Sequence, residues 1–257
     1  MTLVFPLGTL LAFLMVLSRV AGLIALLPLP ALRMAPATVR VCLSMAISIA
    51  LLPAWPHFEN TLPSFGTLLT AAFAEAGFGL AMGVATALFL ETFQMAAQIF
   101  GLQAGFGYAT TIDPTSQVDA GILQVISMLM AGLFFFATGL DGQILRLLAA
   151  SFQRFSAGSG AWAGAEASVD GIIRLGSTVF SLGLRLAMPI VAFLLFLDVA
   201  LALLGRVQQQ LQLLSLAFPV KMLTALAGLA VLLPTFSRLF ERSSTQMLSM
   251  LWATLAR

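Results

Sequence analysis

Charge is what this sequence has least of. Only 9% of its 257 residues are Asp, Glu, Lys or Arg, against about 25% in an ordinary soluble domain. So few charges cannot cover a water-facing surface, so the 60% hydrophobic content has to meet lipid or other protein. Cysteine and histidine are as scarce, with Cys42 and His57 the single examples. A lone cysteine excludes an internal disulfide and a cysteine metal site. One His and one Cys cannot build a zinc site from those ligand types, and Cys42 reads as a small apolar packing residue. No phosphate-cradling glycine loop ending in Lys-Ser/Thr is present, which speaks against nucleotide hydrolysis by the chain itself. The net charge of +2 and the lack of a Lys/Arg cluster argue against nucleic acid as a partner. Gly158-Ser159-Gly160 lacks the full nucleophile-elbow pattern and lies in the Gly/Ala/Ser-rich stretch 156–168, which reads as a surface loop. The sequence predicts neither covalent chemistry nor a cofactor.

What is there is apolar sequence in long runs. A spanning helix needs about 20 mostly apolar residues. Candidates are residues 3–27, 39–55, 65–90, 91–112, 122–152, 171–204 and 211–233. Two of these divisions stay open: 65–105 also reads as one long bent helix, and 122–152 folds back if the Gly139–Gly142 step turns the chain. The expectation is an all-α integral membrane protein with six or so spanning helices. The run near the N-terminus has no basic residue ahead of it and Arg19 inside it, so it is expected to persist rather than be cleaved as a signal peptide. Positive-inside reasoning puts the Arg33/Arg40 turn on the cytoplasmic side. It then meets a conflict, because Arg206 lies at the tip of the 171–234 hairpin while Arg174, Arg238 and Arg242 lie at its base. From Phe236 onward the apolar residues Phe240, Met247, Leu248, Leu251 and Trp252 recur at helical spacing opposite Arg238, Glu241 and Arg242. That pattern predicts an amphipathic C-terminal helix for the membrane interface or a partner surface.

One stretch departs from this plain apolar character. Gly101, Gly105 and Gly107 fall close together, followed by Asp113-Pro114. Glycine admits backbone geometry that other residues resist, and proline disfavours helix in the residue before it. The sequence therefore predicts that a membrane-grade helix breaks here. Irregular backbone at that depth is tolerated only inside protein or around a water-filled cavity. The candidate pore element comprises Gly101, Gln103, Gly105, Phe106, Gly107, Tyr108, Ala109, Thr110, Thr111, Ile112, Asp113 and Pro114.

Charges inside apolar segments are costly, about 2.5–3.5 kcal/mol each at a helix centre. Glu75, Glu91, Arg185, Asp198 and Lys221 stand in such places. Asp198 and Arg206, eight residues apart, share a helix face about two turns apart. Each has two open readings: a partner on a neighbouring chain, or pairing and snorkelling within this one. Gly79-x-x-x-Gly83, Gly101-x-x-x-Gly105 and Gly160-x-x-x-Gly164 carry the small-residue spacing that lets helices approach.

Two blocks now form a recognisable pair. The first is Gly101-Leu102-Gln103-x-Gly105, then Ala109-Thr110, then Asp113-Pro114-x-Ser116; the second is Leu201-Ala202-Leu203-Leu204-Gly205-Arg206, then Gln210-Leu211, then Phe218-Pro219-x-Lys221. Together they resemble the FliR family of flagellar biosynthesis proteins and its counterparts in type III secretion injectisomes, over nearly the whole chain. Gly205 stands where a polar residue is common in that family, and Tyr108-Ala109 replaces a Ser/Phe-Ala version. The resemblance implies one copy of this subunit among FliP-like and FliQ-like subunits in a conical gate, with an FlhB-like subunit at its entrance. It implies a FliP-like part over 1–170, a FliQ-like hairpin over 171–235 and the amphipathic end over 236–257. It maps a plug loop onto about 106–121, and places the gate in the bacterial inner membrane at the flagellar basal body, passing unfolded exported proteins. Asp198, Arg206, Phe218, Pro219 and Lys221 are then the candidate assembly residues.

Two rival readings predict different things. A secondary transporter for a small solute calls for two comparable breaks in two repeated halves, and one clear break is visible. An intramembrane hydrolase needs a nucleophile and base or a metal pair near the midplane, and His57 sits in a Pro-rich turn.

Overall fold

The structure, a computed structural model, describes residues 7–55, 64–106, 122–155, 165–207 and 213–256. Among these residues every regular element is helical: α1 (Leu7–Leu26), α2 (Pro30–Arg33), α3 (Ala37–Ala50), a 3-10 turn (Leu52–Ala54), α4 (Phe65–Ala104), α5 (Ile122–Ala137), α6 (Leu140–Arg154), α7 (Ala165–Val207) and α8 (Leu213–Ala256). The molecule is an all-α integral membrane protein.

Among the described residues four helical stretches are long and apolar enough to cross a bilayer: Leu7–Leu26, Phe65–Ala104, Gly176–Arg206 and Ala217–Ser249. The α5–α6 pair makes a fifth if it counts as one span broken by a 63° bend. Among the described residues this is one or two fewer than the six or so expected, for two physical reasons. Residues 39–55 form only the 14-residue α3, which is stopped by Leu51 and Pro53 and is too short for a core about 30 Å thick. Residues 65–104 form one unbroken 40-residue helix, about 60 Å long at 1.5 Å per residue. The α7 and α8 helices, of 43 and 44 residues, are longer still. Each of these three is about twice the hydrocarbon thickness, so it must tilt steeply or project beyond the bilayer.

Local chemistry sets the ends. Ser64 Oγ accepts the Thr67 amide at 3.3 Å and caps α4. Pro30 opens α2 at a position where its missing N–H costs nothing. Gly139, at φ +67°, makes the bend between α5 and α6, so the chain turns there by 63° rather than folding back on itself. The C-terminal end belongs to α8. Despite Pro234, α8 runs through to Ala256, and Phe236, Phe240, Met247 and Leu248 are buried within the chain.

Two compact units share these helices. The first takes residues up to Phe89, Phe135–Gly176 and the segment from Ser244 onward. In it α1 lies against α4 with almost no side-chain layer between them. A Cβ at Gly79 would strike the Arg19 carbonyl, and one at Gly22 the Ala76 carbonyl. A Cβ at Gly83 would come within 2.9 Å of the Leu23 carbonyl. The Gly79/Gly83 pair thus serves packing within this chain. The α3 helix packs on α1, and its return is pinned where Trp55 Nε1 donates to the Ser48 carbonyl at 2.8 Å. The second unit takes Leu90–Phe134 and Ser177–Ser243. Phe240 sits in its core beside Phe93 and Phe134, with ring centroids 5.2 and 5.7 Å away. Gly183 of α7 lies against Met95 and the Thr92 carbonyl of α4, and Gly228 of α8 against Ile190 of α7.

Candidate functional site

The site lies in the second unit, at the C-terminal end of α4. The helix stops at Ala104 because Gly105 takes φ +90°, a left-handed value that side chains resist. The Phe106 amide donates to the Gly101 carbonyl at 3.0 Å and the Gly105 amide to the Leu102 carbonyl at 3.1 Å. This pair of bonds is the Schellman arrangement, with glycine at the left-handed position. α4 thus finishes as a capped helix end, with the free carbonyls of Gly101 and Leu102 satisfied where they stand.

Three side chains gather beside this corner. Lys221 Nζ of α8 lies 2.8 Å from Asp198 Oδ1 of α7 and donates to Oδ2 at 3.1 Å. Gln103 Nε2 of α4 donates to the same Oδ2 at 3.0 Å. The pair is partly open, with 38% of the Asp198 side chain exposed and 15% of that of Lys221. A lone charge in so apolar a hairpin is expensive; the pair offsets that cost, and Gln103 ties α4 to it. Phe218 of α8 completes the corner. A Cβ added at Gly105 would lie 2.7 Å from its Cδ1. The ring occupies the space that any other residue at 105 would need.

The two sequence blocks, about a hundred residues apart, therefore meet through Gln103, Gly105, Asp198, Phe218 and Lys221. Gly101 supplies the capping carbonyl and lies against Leu123. Asp198 has its partners inside the chain. Pro219 and Arg206 are exposed, on α8 and in the last turn of α7. Gly107, Tyr108, Ala109, Thr110, Thr111, Ile112, Asp113 and Pro114 fall outside the described residues, as do Gly160 and Gly164.

A second polar cluster lies in the first unit. Arg19 of α1 is 1% exposed and Glu75 of α4 is 2% exposed. Arg19 Nε donates to Glu75 Oε2 at 2.6 Å and Nη1 to Ser151 Oγ of α6 at 2.7 Å. The guanidinium also lies over the rings of Phe78 and Phe152, 4.6 and 4.2 Å from their centroids. Every face of the cation is occupied, so the cluster binds helices together and offers no opening to a ligand. Sequence reading picked out Glu75 and missed Arg19 as its partner. The available signal was opposite charge on two neighbouring apolar helices. Among the described residues no three His, Cys, Asp or Glu side chains are grouped so as to hold a metal ion.

The sequence matches the model of a family described as "Bacterial export proteins, family 1" over residues 10–247. It is 29% identical over 239 residues to the flagellar biosynthetic protein FliR of Escherichia coli (strain K12), covering 91% of this chain and 89% of that protein. It is 28% identical to the FliR of Pectobacterium carotovorum subsp. carotovorum over 240 residues, with 91% and 88% covered. With the FliR of Bacillus subtilis (strain 168) it shares 26% identity over 221 residues, with 86% and 85% covered.

Proposed function

Because this chain belongs to the bacterial export proteins, family 1, we propose that it is the FliR-like subunit of a flagellar, type III protein-export gate. In this reading it lines part of the conduit through which unfolded proteins cross the bacterial inner membrane at the basal body. FliP-like and FliQ-like subunits complete the conduit, and an FlhB-like subunit meets its entrance. Residues 1–170 form the FliP-like part, 171–235 the FliQ-like hairpin and 236–257 the C-terminal extension. The stretch of about 106–121 plugs the pore at rest. Gly105 and Gly107 let the backbone leave helical geometry, Gly101 remaining within α4, and Asp113-Pro114 turns it back. The chain carries out no covalent chemistry.

One observation carries the reading: a long apolar helix ends in a glycine cap held by side chains of the α7–α8 hairpin. Irregular backbone there fits a position that lines a cavity or is covered by protein. Helices about twice as long as a bilayer is thick also suit a gate that stands partly out of the membrane plane. Broad apolar exposure along the hairpin, at Phe193, Phe196 and Val231 for example, leaves surface for sister subunits and lipid.

Deleting 106–119 in the complex assembled in native membranes tests the plug. Ion conductance across the membrane should rise; unchanged conductance sinks the assignment. Co-purification from those membranes should bring down the FliP-like and FliQ-like subunits. Uptake of a small solute by the purified chain alone in liposomes would favour a secondary transporter instead.

A further inference from the structure

Gln103, Asp198 and Lys221 are unequal partners. Lys221 reaches both oxygens of the Asp198 carboxylate, whereas Gln103 reaches one. Without Gln103, Asp198 keeps its counter-ion. Without Lys221, a carboxylate is stranded in an apolar hairpin, where unpaired charge is costly. The ion pair is thus the fixed part of the cluster and the Gln103 bond the detachable part. Gln103 immediately precedes Ala104, the last helical residue, so its tether acts directly on the Gly105–Phe106 corner. Among the described residues the Phe218 ring also lies against Gly105, an apolar contact that loses little when it slides. A neutral amide also suits a bond that has to break. It gains strength from a charged acceptor, yet strands no charge on leaving.

We infer that Gln103 is a positioning residue that latches the end of α4 to the α7–α8 hairpin, and that release of its hydrogen bond, with Asp198–Lys221 kept, unseats this corner when the gate conducts. The inference rests on the gate reading above and adds the bond on which the resting state turns.

The test uses the complex assembled in native membranes, with resting ion conductance and co-purified subunits both measured. Gln103→Leu removes the donor at similar volume. It should raise resting conductance about tenfold, the population shift that loss of one charge-assisted hydrogen bond gives. Gln103→Glu sets a second carboxylate against Asp198 and should conduct more. Combining Gln103→Glu with Asp198→Asn restores a donor–acceptor pair in reverse, with the carboxylate moved to position 103 as the charge left to face Lys221, and should bring conductance well below that of Gln103→Glu alone, the mark of direct coupling. If both single variants conduct like the parent while the 106–119 deletion leaks, the latch is wrong and the gate reading stands. If the deletion also fails to leak, the gate reading falls and takes the latch with it. If the single variants lose sister subunits and the exchange restores neither assembly nor conductance, Gln103 is a packing residue and the latch is overturned.

Discussion

Arg19 and Glu75 meet 2.6 Å apart with 1% and 3% of their side chains exposed. The contact joins α1 to α4, and the hydrogen bond to Ser151 adds α6. An ion pair this buried adds little net stability compared with apolar residues of the same shape, but it penalises any change that removes one member.

Arg19→Leu or Glu75→Leu alone should therefore destabilise the protein by about 3–5 kcal/mol, because each removes the buried opposite charge from its partner. The double replacement should recover most of that loss. Thermal unfolding of the detergent-solubilised protein checks both; a double variant no better than the singles would contradict the argument.

Gly79 and Gly142 should respond in opposite ways to alanine. At Gly79 the new methyl strikes the Arg19 carbonyl, with the Leu23 amide nitrogen close behind; α1 would have to back away, at about 1–3 kcal/mol for overpacking. At Gly142, inside α6, nothing lies within 4 Å. Alanine there should stabilise by about 0.4–1 kcal/mol through the unfolded chain. Comparing the two melting temperatures decides it.

Gly105→Ala combines two penalties. The left-handed backbone costs a side chain roughly 1–2 kcal/mol, and the methyl meets Phe218. Adding Phe218→Leu should relieve the clash and leave the backbone cost, so the double variant should recover in part. Secretion of a flagellar substrate, alongside the assembled fraction, reads this out. Full recovery would show that φ at 105 is not constrained.

Phe240 is completely buried between Phe93 and Phe134. Phe240→Ala should cost roughly 3 kcal/mol of packing, whatever solvent lies outside. Phe240→Leu should cost less than half as much. Equal behaviour of the two variants in thermal unfolding would mean that the site collapses freely.

Much of this was legible from residue types alone. Sparse charge and long apolar runs gave the membrane class. Glycines at 101 and 105 located the end of α4, because that geometry is set locally. Other features depend on contacts that no local pattern encodes. Gln103 falls within the glycine-marked break, but its partner is not legible, since a neutral amide carries no charge to match with Asp198. Arg19 passed as an incidental charge in the first apolar run, because its neutralisation comes from Glu75, 56 positions later. The short α3 was read as a span because Pro53 interrupts a run that stays apolar on both sides. That α8 continues past Pro234 is also not written locally: a proline there reads as a break, and the buried Phe236 and Phe240 lie just beyond it in the same helix.

The distance in sequence between Arg19 and Glu75 has a consequence for biogenesis. At about 5–20 residues per second, the ribosome adds Glu75 some seconds after Arg19. During that interval the first helix carries an uncompensated guanidinium and is a poor candidate for release into lipid. Entering lipid before the later carboxylate emerges costs the first helix about 2.5–3.5 kcal/mol, a penalty that entry of α1 and α4 as a couple would avoid.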